Sequence, residues 1–199
     1  MFTKRVFDIV CVVFGILILL PFLIFISVWI KLDSEGPVFY KQERIGLNGK
    51  PFRIFKFRTM VTDADKKGLP LTVGVDSRIT RSGHFLRKYK LDEFPQLFNV
   101  LIGNMSLVGP RPEVAKYVAY YPEEIKKLVL SVPPGITDNA SIIYKQESDL
   151  LGNTDNPEKL YIEEILPKKM EFYIDYINKR SLLLDLKLIF KTLLEIVYK

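Results

Sequence analysis

The sequence predicts an α+β chain, mainly helical, with an N-terminal membrane helix that is either re-entrant or spanning, a small β-hairpin and amphipathic interfacial helices. Three observations carry this expectation. Ile9 to Ile30 contains no formal charge. Two short runs rich in aromatic residues flank Gly46-Leu47-Asn48-Gly49. Apolar residues recur at helical spacing through much of the remainder. The 199 residues allow one modest domain plus an attachment segment. The division is expected at 1–35 for the membrane segment and 36–199 for the rest.

As one helix, the apolar run would be roughly 33 Å long, enough to cross a hydrocarbon core. It is too long for a signal-peptide apolar region, and bulky Phe22, Leu23 and Phe25 precede Ser27 instead of a small-residue cleavage site. Pro21 removes one backbone hydrogen bond near the middle and predicts a helix break. Lys4 and Arg5 precede the run, and Lys31, Lys41 and Arg44 follow it. The positive-inside rule therefore draws both ends to the cytoplasm. A re-entrant helix bending at Pro21 satisfies this, and a tilted, kinked transmembrane helix is the alternative. Trp29 suits an interfacial position in either case.

Gly36-Pro37 closes the anchor. Residues 38–45 and 51–59 read as a hairpin. On the second run, Phe52, Ile54, Lys56 and Arg58 share one face and Arg53, Phe55 and Phe57 the other. Both faces carry cations, as a polyanion site or a solvated strand edge would. Residues 60–81 are polar, with a short helical or loop stretch at Thr62–Lys67. Ser82–Tyr89 and Asp92–Ile102 read as short helices, the second with Pro95 in its first turn. Gly109-Pro110-Arg111-Pro112 reads as a stiff extended connection. Glu113–Leu130 is helical in pattern and broken near Pro122, and Pro133-Pro134-Gly135 turns the chain. Residues 145–157 read as a surface loop. Leu166–Lys179 and Leu182–Tyr198 read as helices, the last with an apolar stripe suited to the core or the bilayer surface.

Composition narrows the chemistry. At 48% hydrophobic and 13% aromatic the chain is too apolar for intrinsic disorder. One cysteine, Cys11, excludes an internal disulfide and a Cys-based zinc cage, and it reads as lipid-facing or packed. One histidine, His84, excludes a His-rich metal site and reads as a helix-surface residue. Residues 31–90 carry 14 basic and 6 acidic groups, net +8, so the middle third faces something anionic. Anionic lipid, a phosphorylated substrate or nucleic acid would each meet that requirement.

Asp92-Glu93 is the first chemical candidate. Neighbouring carboxylates at a helix start are a common N-terminal feature. Beside a basic strand they also suit phosphoryl chemistry, one attacking phosphorus and the other holding Mg²⁺. Arg111, between two prolines, suits a bidentate phosphate contact, or else an ion pair with Glu113. Arg81, Arg87, Lys88 and Lys90 form either an electropositive pocket or a solvated helix face.

Several motifs occur in order. They are Lys4-Arg5-x-x-Asp8, the apolar run with its proline, Gly36-Pro37-x-Phe39, Gln42-x-Arg44-x-Gly46 and Lys56-Phe57-Arg58-Thr59-Met60. Arg78-x-Thr80-Arg81-x-Gly83, Phe85-Leu86-Arg87-Lys88 and Leu91-Asp92-Glu93-x-Pro95-Gln96-Leu97-x-Asn99-Val100-Leu101 follow. Gly103-x-Met105-Ser106-Leu107-Val108-Gly109-Pro110-Arg111-Pro112-Glu113 and Pro134-Gly135-Ile136-Thr137 complete the series. From about residue 3 to 137 this resembles the bacterial sugar transferases, the small monotopic phosphoglycosyl transferases that start glycan assembly on a polyprenyl phosphate. The chain looks like a small, single-domain member.

The resemblance implies that Asp92 attacks the β-phosphate of a UDP-sugar, releases UMP and forms a covalent phosphosugar intermediate. Undecaprenyl phosphate then takes the phosphosugar. It implies that Glu93 holds Mg²⁺ and that Arg87, Lys56 and Arg58 handle phosphate. Arg111 belongs to the nucleotide-sugar pocket, Lys145 is an additional phosphate contact, and Pro21 marks the bend of a re-entrant helix. The expected location is the bacterial inner membrane, with a cytoplasmic catalytic domain at 36–199 in contact with membrane lipid and, as further partners, downstream glycosyltransferases. Two departures stand out. Leu20-Pro21 replaces the family's Ser-Pro, and Thr137-Asp138-Asn139-Ala140-Ser141-Ile142 replaces Thr-Gly-x-x-Gln-Val-Asn-Gly, so the sugar is not fixed. A membrane-anchored, non-catalytic adaptor is the alternative in another class, and a metal-dependent phosphohydrolase differs only in the acceptor. A nucleic-acid-binding role lacks a motif and sits awkwardly behind a 22-residue apolar anchor, so no nucleic-acid partner is expected.

Overall fold

The computed structural model describes residues 2–64 and 76–197. Helix α1 covers Phe2–Asp33. Asp8, Val12, Leu23, Ile26 and Ile30 are buried along one side of it, with Ile16 and Leu19 packed between them. Steps of three and four residues keep this stripe turned toward the body for the whole helix. The opposite side leaves Phe14, Leu17, Ile18 and Phe25 more than half exposed. An apolar face of that extent marks contact with lipid or another protein. The helix continues through Pro21, so the expected break does not divide it in two. The missing N–H removes one rung of the ladder without ending the helix.

Both ends of α1 are fastened to the rest of the chain. At the start, Lys4 pairs with Asp185 at 2.6 Å, and Arg5 donates to the carbonyls of Val100 and Leu101. Asp8 accepts from the Ser106 hydroxyl at 2.7 Å. At the other end, Asp33 accepts from the Ser82 N–H at 2.8 Å, and Arg58 donates to the carbonyls of Ile30 and Ser34.

The expected hairpin is present as antiparallel β1 (Phe39–Ile45) and β2 (Pro51–Phe57), with Phe39 opposite Phe57 and Ile45 opposite Pro51. Its connection uses left-handed Asn48 and Gly49, and the Asn48 N–H donates to Leu130 O. Ile54 joins Val12, Val100 and Met105, while Phe57 joins Leu23, Ile26 and Ile30. Helix α1 is therefore a core element for both halves of the strand. Helix α2 (Arg81–Lys88) begins at Thr80, whose side chain accepts from the Gly83 N–H.

Four further expectations change. Asp92–Ile102 is not one helix: Leu91–Glu93 forms a separate 3₁₀ turn, and α3 (Gln96–Ile102) starts after Pro95. The turn at 133–135 leads into a strand, because β3 (Ser106–Val108) pairs in parallel with β4 (Gly135–Thr137). The segment 145–157 is not simply a loop. After α4 (Ala115–Val118), α5 (Glu123–Val129) and α6 (Asn139–Ile143), it contains α7 (Glu147–Gly152), anchored by buried Leu151. The run before Leu166 is already helical, with α8 (Pro157–Leu160) and a π turn at Tyr161–Ile165 leading into α9 (Leu166–Lys179). The break near Pro122 and the final helix α10 (Leu182–Val197) agree with expectation, Tyr198 lying outside the described residues. Of the stretch expected at Thr62–Lys67, residues 65–67 lie outside the described residues.

The largest apolar cluster joins α4, α5, α7, α9 and α10 through Tyr117, Val129, Leu151, Tyr173 and Leu188. Beside it, β3 and β4 run so close that a Cβ added at Gly135 would collide with the backbone of Gly109. Gly135→Ala is expected to destabilise the protein by about 1–3 kcal/mol, since overpacking forces the two segments apart. A lower Tm in detergent solution checks this, and an unchanged Tm would mean that the segments can separate freely.

Candidate active site

The parity of β2 decides where Lys56 points. Asn99 on α3 accepts from the Phe55 N–H at 2.8 Å and donates to Arg53 O at 2.8 Å, so its amide covers the open edge of the strand. That bond fixes α3, and the Leu91–Glu93 turn just before it then lies against Lys56. Lys90, at φ 54°, supplies the left-handed residue that reverses the chain out of α2. Such backbone in a residue other than glycine costs about 1 kcal/mol and recurs at functional sites.

Glu93 receives two cations. Lys56 Nζ lies 3.0 Å from Oε1. Arg111 donates through Nη1 to Oε2 at 3.2 Å and through Nη2 to Oε1, a two-pronged grip. Burial alone would raise the Glu93 carboxyl, but Arg111 and then Lys56 outweigh it and hold the group well below the carboxylate range. Glu93 in turn raises Arg111 well above the ordinary arginine range, against the effect of burial. Asp92 differs. Burial raises its carboxyl and Glu93 adds to that, while Lys56, Arg87 and Arg111 oppose it. Among the described residues Asp92 is held by no hydrogen bond. Two adjacent carboxylates therefore divide their roles, one clamped and ionised, the other unclamped and more basic.

The Pro110-Arg111-Pro112 segment is held on three sides. Gly135 N–H donates to Pro110 O at 2.9 Å, Arg44 Nη1 to Pro112 O at 3.2 Å, and Ile45 N–H to Glu113 O at 2.9 Å. Close packing of β3 on β4 thus aims Arg111 at Glu93. Arg111 does not take the alternative pairing with Glu113. Glu113 is buried, accepting from the Tyr161 hydroxyl at 2.6 Å and facing Arg44 at 3.5 Å. Lys169, also buried, lies over the Tyr161 ring and pairs with Glu147 at 2.5 Å. Helical spacing gives no sign of this network, because its members lie on separated segments.

These groups line a cavity of about 980 Å³ in which lysines and arginines outnumber carboxylates. Asp92, Glu93, Lys56, Arg87, Arg111 and Lys145 all contribute to its wall. Lys145 reaches it while paired with Glu195 of α10 at 2.6 Å. Arg58 touches the wall too, but its guanidinium turns away from the carboxylates. It donates to Ser34 O at 2.7 Å, Ser34 Oγ at 3.0 Å, Ile30 O at 3.4 Å and Glu35 O. Arg58, expected to handle phosphate, here clasps the end of α1. His84 is exposed, as expected of a helix-surface residue, and it also lies on the cavity wall.

Comparison with known proteins adds a second line of observation. The bacterial sugar transferase family model matches residues 1–199. The chain is 39% identical over 191 residues to the UDP-glucose:undecaprenyl-phosphate glucose-1-phosphate transferase of Escherichia coli K12, covering 95% of this chain and 39% of that protein. It is 38% identical over 194 residues to the UDP-N-acetylgalactosamine-undecaprenyl-phosphate N-acetylgalactosaminephosphotransferase of Aeromonas hydrophila, covering 96% and 43%. With the exopolysaccharide production protein PSS of Rhizobium leguminosarum it shares 40% over 197 residues, covering 95% and 92%. The chain spans about two fifths of the length of the first two.

Arg58→Ala is expected to cost about 2 kcal/mol, the scale of charge-assisted hydrogen bonds lost in a partly dry site. Arg58→Lys should recover only part of that, because an ammonium cannot fork between several acceptors. Thermal unfolding of both variants in detergent checks the pair. If Arg58→Lys were as stable as the unsubstituted protein, the forked clasp would be excluded.

Proposed function

The chain belongs to the bacterial sugar transferase family, and we propose that it transfers a sugar phosphate from a UDP-sugar to undecaprenyl phosphate with release of UMP. The observation that carries this reading is the unclamped Asp92 beside the clamped Glu93, in a cavity rich in cations. The names of the relatives supply the donor and acceptor classes.

In the first step an Asp92 carboxylate oxygen attacks the donor's β-phosphorus. The bond from that phosphorus to the bridging oxygen breaks, and the oxygen leaves with UMP. The sugar phosphate stays on Asp92 as an acyl phosphate. In the second step a phosphate oxygen of the lipid attacks the same phosphorus, and Asp92 leaves as a free carboxylate. The product is undecaprenyl diphosphate sugar. Phosphoryl transfer depends chiefly on alignment and charge stabilisation. Lys56, Arg87 and Arg111 supply the charge, and burial makes Asp92 a more basic nucleophile than a solvated aspartate.

Mg²⁺ suits the donor set. Among the described residues no group of three or more His, Cys, Asp or Glu forms a metal cage. Mg²⁺ commonly takes one or two carboxylates and completes its shell with substrate phosphates and water. Glu93, with Asp92 beside it, would hold the ion, which would offset charge on the diphosphate.

The same reading places α1 in the cytoplasmic leaflet of the inner membrane as a re-entrant helix. It is supported by the attachment of both α1 ends to one body, through Lys4, Arg5 and Asp8 at one end and Asp33 at the other. The product would begin a glycoconjugate for downstream glycosyltransferases to extend. An adaptor would need no cavity that clamps one carboxylate and leaves its neighbour unclamped.

Purified protein with Mg²⁺, undecaprenyl phosphate and a panel of UDP-sugars is expected to release UMP over many turnovers only when the lipid is present. UDP release would indicate ordinary glycosyl transfer, and sustained UMP release without lipid would indicate hydrolysis. Asp92→Asn should abolish turnover with Tm retained, and a retained rate would exclude the covalent step. Glu93→Gln should lower the rate by roughly 10²-fold, the scale of losing one electrostatic contact to a transition state. It should also weaken the Mg²⁺ dependence, and an unchanged metal titration would remove its ligand role.

A further inference from the structure

Helix α2 joins the apolar face of α1 to the cavity wall. Trp29 of α1 lies 5.4 Å from the Phe85 ring, and Phe85 lies 4.8 Å from the Tyr89 ring, both tilted pairs. Phe85 is 44% exposed and Trp29 and Tyr89 are half-buried, so the three rings form an open aromatic run. On α1, exposed Phe25, Val28 and Leu32 border Trp29 and extend the run onto the apolar face. At its other end, Lys88 Nζ lies 5.3 Å from the centre of the Tyr89 ring. Lys88, Arg87 and His84 line the same cavity as Asp92. Helix α2 and the residue that ends it, Tyr89, thus offer aromatic surface at positions 85 and 89 and cationic or imidazole groups at 84, 87 and 88. The four-residue spacing of 84 with 88 and of 85 with 89 makes these two adjacent stripes.

Apolar surface continuing into a cationic pocket matches a molecule with an apolar chain and an anionic head. Resting on the function proposed above, we infer that Trp29, Phe85 and Tyr89 bind the first isoprene units of the lipid phosphate acceptor while Lys88 meets its phosphate. The soluble donor has no chain to place on exposed rings. The acceptor must bring its phosphate from the bilayer to Asp92, and α2 connects the two places. Branched, unsaturated isoprene units pack well on tilted rings, and Lys88 holds its position over Tyr89 through a cation–π contact. Tyr89 also packs against the cluster of Leu23, Ile26 and Leu86, which ties the run to α1.

The test separates the two half-reactions in detergent micelles. Exchange of labelled UMP into UDP-glucose or UDP-N-acetylgalactosamine, without lipid, reads donor cleavage alone. Phe85→Ala is expected to leave this exchange within about twofold of the unsubstituted protein and to raise the KM for undecaprenyl phosphate about fivefold, the scale of one lost aromatic contact. Phe85→Tyr should restore the KM, and Lys88→Gln should raise it further. An unchanged KM in both Phe85→Ala and Lys88→Gln would overturn the inference. So would a rise in KM that UDP-sugar shares equally, which would place these residues in the donor site. If the unsubstituted protein catalyses no exchange but still turns over with lipid, the covalent reading fails, and the KM comparison alone still decides the acceptor site.

Discussion

The site is organised by one carboxylate shared between two cations. Glu93 accepts from Arg111 and Lys56. Each cation reaches it from an element fixed elsewhere, Lys56 from a strand of the hairpin and Arg111 from the segment after β3. A buried charge is tolerated only with its partners in place, so the three elements stand or fall together. The neighbouring Asp92 gains its environment as a by-product. The cations that neutralise Glu93 also act on Asp92 without bonding to it, and they oppose the rise that burial imposes on its carboxyl.

Helix α1 has two apolar faces in different surroundings. Its buried stripe completes the clusters around Ile54 and Phe57, and its other face presents large apolar side chains outward. An ordinary membrane anchor could be removed without disturbing a domain beyond it. Here the removal would uncover β2 and release the Arg58 clasp. Helix α1 and the scaffold of the candidate site are a single packing unit.

Much of this is legible in the sequence. Alternation in residues 51–57 locates the strand, the turn residues at 46–49 locate the hairpin, and Asp92-Glu93 and Arg111, singled out on residue type and spacing, share one cavity. The differences have physical causes. Pro95 suits a helical first turn, which draws Asp92-Glu93 into the same helix on paper, yet the pair forms a separate 3₁₀ turn ahead of it. Pro133-Pro134-Gly135 signals a turn, and only the close approach of Gly109 makes the following residues a parallel strand. Arg58 has the same strand parity as Lys56, but past the end of β2 its side chain meets the carbonyls of α1 instead of the carboxylates. Glu113, Tyr161 and Lys169 carry no local signal, because burying a charged network is a property of tertiary contact, which sequence pattern does not record.

On the reading proposed above, membrane depth and chemistry would be linked through these same contacts. Asp33 caps the start of α2 through the Ser82 N–H, and Arg58 ties the end of α1 to the strand that carries Lys56. Helix α2 carries Arg87 toward Asp92 and leads into the turn that contains the carboxylates. A displacement of α1 along the bilayer normal would therefore move the cations and carboxylates together, leaving their mutual distances unchanged. The quantity such a displacement would alter is the distance between the site and the lipid surface. On the function proposed above, such a scaffold would hold its reacting groups rigid with respect to one another while the exposed apolar face of α1 would help to set how far they stand from a lipid acceptor.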